Sequence, residues 1–73
     1  MRISTGKSYD VDVFDSANNL VTTVYGITGC TSIQQVIKQA ASKTYVKVAY
    51  VAIYCCEDMT KKEKYSIVGR KLK

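Results

Sequence analysis

The stretch TSIQQVIKQAASKTYVKVAYVAIYCC, residues 31 to 56, changes its hydrophobic period at Lys43 and Thr44. Before that point Ile33, Val36, Ile37, Ala40 and Ala41 recur at steps of three and four, with Gln34, Gln35, Lys38 and Gln39 between them. That spacing gathers the apolar set on one stripe of an α-helix. Thr31 with Gln34, and Ser32 with Gln35, each offer a capping box at its start. The reading is a helix from about Ser32 to Lys43, with Val36 and Ile37 central in the buried stripe and Gln35 and Gln39 on a dispensable outer side. After that point Tyr45 to Cys56 is a β-branched and aromatic run, which predicts a strand. Its alternating faces are Tyr45, Lys47, Ala49, Val51, Ile53 and Cys55 against Val46, Val48, Tyr50, Ala52, Tyr54 and Cys56. Both are largely apolar, which suits a central strand.

Working outward toward the N-terminus, Gly26, Thr28 and Gly29 separate the helix from Leu20 to Ile27, a run rich in Val, Thr and Tyr. Before it, Ser8 to Phe14 places Tyr9, Val11 and Val13 on one face and Asp10 and Asp12 on the other, the pattern of a half-buried strand with a solvated side. Asp15, Ser16, Ala17, Asn18 and Asn19 are turn formers and close a hairpin. Toward the C-terminus, Glu57 to Lys62 reads as a charged loop and Tyr65 to Leu72 as a last strand centred on Ile67 and Val68, with a basic end at Arg70, Lys71 and Lys73. The order is ββαββ in a single domain spanning 1–73. The expected architecture is α+β: one antiparallel sheet of about four strands with one helix packed on one face.

A chain of 73 residues buries only about 60% of the surface its unfolded form exposes, so a deep walled cavity would consume much of the core. Hydrophobic residues make up 47% and charged residues 23%, a globular balance that argues against disorder. No run approaches the roughly 18 apolar residues that span a bilayer, and the N-terminus lacks a secretory apolar segment. The expectation is a cytoplasmic protein with no membrane partner. Cys30, Cys55 and Cys56 are odd in number, and the adjacent pair points to opposite strand faces, so three free thiols acting as small buried hydrophobes are expected.

Catalytic chemistry finds little support. The chain has no histidine, which removes the usual general base at neutral pH and most of a zinc ligand set. Cys30 near a helix N-terminus lacks an orienting base. Asp10 and Asp12 share a strand face, and polar alternation accounts for them without a metal. Gly26-Ile27-Thr28-Gly29 is a G-x-x-G, but loops of that kind that clamp nucleic-acid backbones join two helices and here a strand leads in. The expectation is no enzyme, no cofactor and no metal.

The net charge of +5 is unevenly placed: residues 1 to 30 carry −1, the middle carries Lys38, Lys43 and Lys47, and residues from Cys55 onward carry +3. One helix covers one sheet face, yet the long strand is apolar on both, and an uncovered apolar face marks an interaction surface. Tyr50 and Tyr54, or whichever face the helix leaves open, are expected as the contact centre, with Lys61, Lys62, Lys64, Arg70 and Lys71 as a charged rim. The expected activity is a small non-enzymatic protein-binding factor of accessory or inhibitor type whose partner is a protein with an acidic surface. By analogy of size and class alone, the expectation extends to a phage or mobile-element factor acting on the host's nucleic-acid-processing machinery. Direct nucleic-acid binding through the basic C-terminal half is the alternative, and a homodimeric or larger homo-oligomeric structural module the second.

Overall fold

The structure, a computed structural model, describes residues 1 to 72; the expected basic end at Lys73 lies outside the described residues. In chain order the elements are β1 (Tyr9–Phe14), β2 (Leu20–Ile27), α1 (Ile33–Ser42), β3 (Tyr50–Cys55) and β4 (Asp58–Ser66). The strands form one antiparallel sheet in the order β2-β1-β3-β4. This is the expected α+β, ββαββ arrangement. The two hairpins are joined side by side through β1 and β3, with α1 carrying the chain from one sheet edge back to the middle. Among the described residues no helix is long and apolar enough to cross a membrane.

Hydrophobic periodicity sets which sheet face the helix covers. Tyr9, Val11 and Val13 from β1, Val24 and Ile27 from β2, Val51 and Ile53 from β3, and Tyr65 from β4 pack under Val36, Ile37 and Ala40 of α1. The helix lies over β1 and β2. Ser32 is its N-cap, the hydroxyl accepting from the Gln35 amide at 3.3 Å. The side chain of Gln35 reaches back one residue further than a capping box does, accepting from the Thr31 amide at 2.6 Å and from its hydroxyl at 3.1 Å. Gln39 donates to the buried Cys30 sulfur at 3.4 Å. Neither glutamine is the idle surface residue that helical spacing alone suggests.

Two strand assignments differ from the sequence reading. β3 begins at Tyr50, five residues later than expected, with Tyr45 fully exposed and Val46 half exposed in the segment before it. Its partner β1 ends at Phe14, opposite Tyr50, because Asp15 turns the chain: its carboxylate accepts from the amides of Ala17 and Asn19, both at 2.9 Å. Beyond one further bond from the Ala49 amide to the Phe14 carbonyl there is no ladder to join, and an apolar run without a partner strand stays irregular. The last strand is the charged segment Asp58–Ser66, and Ile67 and Val68 sit exposed at a terminal turn. An edge strand with solvated side chains needs backbone pairing rather than apolar alternation, so lysine-rich sequence fills it.

Both sheet edges are irregular. β3 advances two residues from Ile53 to Cys55 while β4 advances five between Asp58 and Glu63, so β4 bulges there. The chain then folds back on β4: the Ser66 amide donates to the Arg70 carbonyl and the Leu72 amide to the Lys64 carbonyl, both at 2.8 Å. β2 bulges twice against β1. Gly26, at φ +70 within one of these bulges, turns its amide to Asp10 at 3.1 Å, a backbone conformation other residues adopt at a cost.

Candidate interface on the open sheet face

The face away from α1 carries Asp10, Asp12 and Phe14 of β1, Tyr50, Ala52 and Tyr54 of β3, and Lys62 and Lys64 of β4. It is not the solvated side that the alternation of β1 suggests. Asp12 is 7% exposed and Asp10 8%. Asp12 accepts from the Thr23 hydroxyl at 2.9 Å, the Tyr54 hydroxyl at 3.4 Å and the Lys62 ammonium at 3.0 Å. Both oxygens of Asp12 accept from internal donors and Asp10 Oδ1 accepts from the Gly26 amide, which knits the two acids into a polar network across the sheet.

Lysine chains roof this network. Lys62 Nζ lies 4.6 Å from the centre of the Tyr54 ring and Lys64 Nζ 5.9 Å from that of Tyr50, both within cation–π range. Phe14 and Tyr50 stack with centroids 4.7 Å apart and planes 6° from parallel. On β2, Tyr25 is 70% exposed, and its phenol is the least of the influences that raise the Tyr54 phenol. Burial, then the negative charges of Asp12 and Asp10, push the Tyr54 phenol up to about 12, so it stays protonated as a donor.

The expected site residues separate into groups. Tyr50, Tyr54, Lys62 and Lys64 are brought together on the open face. Tyr54 is only 3% exposed, so it floors the surface and Tyr50, half-buried, forms more of it. Lys61 is turned into water with Asp58 at 3.7 Å. Lys71 faces the other side, bridged to core-facing Tyr65 and 3.7 Å from Glu63, and Arg70 lies exposed in the terminal turn. The alternate tyrosine-bearing face is therefore the open one, but its rim is two lysines rather than five cations. Sequence reading missed Phe14, Tyr25, Asp12 and Thr23 as members of this surface. The signal available was alternation: Phe14 shares a phase with Asp10 and Asp12.

The cysteines are free, Cys30 buried, Cys55 partly buried and Cys56 exposed. Cys56 thus departs from the expected role as a buried hydrophobe because it occupies the β3–β4 turn rather than a strand. On the helix side a groove of about 460 Å³ runs between α1, the segment before β3 and the terminal turn. Comparison with protein-family models, with curated proteins and with solved structures finds no match to this chain.

Proposed function

We propose that the chain is a non-enzymatic protein-binding module, an accessory factor whose contact surface is the open sheet face around Tyr50, Phe14 and Tyr25, with Lys64 and Lys62 beside them. The observation that carries this reading is that α1 lies on the other side of the sheet and leaves a face of stacked aromatics and lysines without a covering element among the described residues. Aromatic side chains supply apolar area with a polar tip, the composition favoured where proteins meet. Charge favours a protein over a nucleic acid here. Asp10 and Asp12 offset Lys62 and Lys64 within the face, and a platform for phosphates gains from cations without adjacent carboxylates.

The test is a photo-crosslinking residue placed at position 50 in cells, with one at position 42 on the exposed side of α1 as control. Protein adducts from position 50 and not from position 42 support the reading. Nuclease-sensitive adducts from position 50, or equal adducts from both positions, contradict it.

A further inference from the structure

The groove on the helix side presents chemistry of a different kind from the open sheet face. Its bed is Ile37 and Ala41 of α1, Val46 and Val48 of the segment before β3, and Ile67 of the terminal turn. Val46 and Ile67 are respectively 50% and 54% exposed, so the chain's own packing leaves this apolar bed uncovered. Lys38 and Lys47 stand at its margin. One wall is fixed by close contact: Gly69, at φ +88, lies against the Gln34 side chain, where an added Cβ would come within 2.9 Å. At about 460 Å³ the groove lies in the size range of sites that accept several apolar groups at once.

Charge selects the occupant. From Ser16 to Cys56 the chain has no acidic residue and three lysines, Lys38, Lys43 and Lys47. Among the described residues none of the three makes a salt bridge, whereas Lys61, Lys62 and Lys71 all do. A cation with no internal carboxylate partner has no intramolecular ion pair to give up when an anion arrives, and at a margin that stays wet it steers and orients that anion. Apolar bed and uncompensated cations at the margin together match a chain segment that is apolar on one side and acidic on the other.

We propose that this groove is a docking site for an acidic peptide segment of a partner protein, anchored by apolar side chains between α1 and Ile67 and oriented by carboxylates at Lys38 and Lys47. The site is separate from the open sheet face and does not depend on it.

The peptide ELEELLEELE, which places leucines on one helical face and glutamates elsewhere, is the probe, titrated into the isotopically labelled full chain while amide resonances are followed. Expected are shifts confined to the amides of Ile37, Lys38, Ala41, Val48 and Ile67, and none with KLKKLLKKLK or ESEESSEESE. Lys38→Glu combined with Lys47→Glu, both exposed and without a salt bridge among the described residues, should weaken the interaction about tenfold or more while the spectrum stays dispersed. Val46→Asp, also exposed, should weaken it separately. Shifts at Tyr50 and Lys64 instead, equal binding of the lysine peptide, indifference to the paired substitutions, or no shift at about 1 mM peptide, the weak limit of specific association, each overturn the proposal. Shifts at Tyr50 and Lys64 would at the same time favour the sheet face as the contact surface, so the two readings fail separately.

Discussion

Asp12 ties three strands together from one carboxylate, accepting from Thr23 of β2, Tyr54 of β3 and Lys62 of β4. Asp12→Ala should destabilise the fold by about 2–4 kcal/mol, because it strands the Thr23 and Tyr54 donors and removes a buried charged partner. Asp12→Asn should cost less, since Lys62 is half exposed and can turn to water. Chemical denaturation of the two variants measures this, and equal losses would contradict it. None of this was legible in the alternation of Ser8 to Phe14, which shows that Asp10 and Asp12 share a face but not what covers that face. The covering residue, Lys62, is fifty positions away in sequence. The phenols give a pH test. Burial first raises Tyr54 to about 12, and burial followed by the bond to Glu63 raises Tyr65 to about 12, from an ordinary 10.0. A group raised on folding stabilises the fold below its unfolded pKa and loses that contribution as pH climbs through the folded one. Unfolding free energy should therefore fall between about pH 10 and 12, and Tyr54→Phe with Tyr65→Phe should flatten that fall. Glu63 works in the opposite direction: the N-terminal ammonium at 2.8 Å, then the Tyr65 hydroxyl, hold it down to about 2. Its contribution is present above the ordinary carboxylate pKa of 4.5 and is lost as pH falls from there toward 2.

At the scale of elements, α1 was the part most fully legible, because Val36, Ile37 and Ala40 follow the helical period and are all buried. Ile37→Ala should cost about 2–4 kcal/mol and Val36→Ala somewhat less. Gln35→Ala should cost about 1 kcal/mol through the lost reach to Thr31, an amount that helical periodicity alone would not assign. Thermal melts rank the three, and a silent Gln35→Ala would remove the capping argument. Strand limits were less legible than strand existence. Tyr45 to Ala49 has strand composition but no partner beyond Phe14, and pairing is a property of the neighbour as much as of the run itself. Conversely, Asp58 to Lys64 has the composition of a loop and becomes an edge strand because the turn at Cys56 and Glu57 delivers it beside β3. Gly69→Ala should destabilise the terminal turn by roughly 1–2 kcal/mol, since φ +88 disfavours any side chain and Gln34 occupies the space. Faster exchange of the Leu72 amide, which donates to Lys64, would report it.

Across the whole molecule the two sides differ in charge logic. On the open face Lys62 is paired with Asp12 over the Tyr54 ring and Lys64 lies over the Tyr50 ring, while Lys38 and Lys47 beside the apolar groove make no salt bridge among the described residues. The tyrosine-rich face was legible from strand phase; the neutrality of that face was not, because it depends on which lysines the β4 bulge turns inward. Tyr54 supports the surface from beneath, so Tyr54→Ala should unfold the sheet by several kcal/mol rather than weaken binding selectively. Tyr50, half-buried and stacked on Phe14, is the residue that can report contact without collapse. The most direct measurement is therefore the binding kinetics of Tyr50→Ala and Lys64→Glu against the protein captured from position 50. Tyr50→Ala is expected to speed dissociation about tenfold or more with the fold intact, while Lys64→Glu chiefly changes association, and does so more at low salt. If Lys64→Glu abolishes binding and Tyr50→Ala is silent, the surface is electrostatic and the aromatic face is not the contact centre.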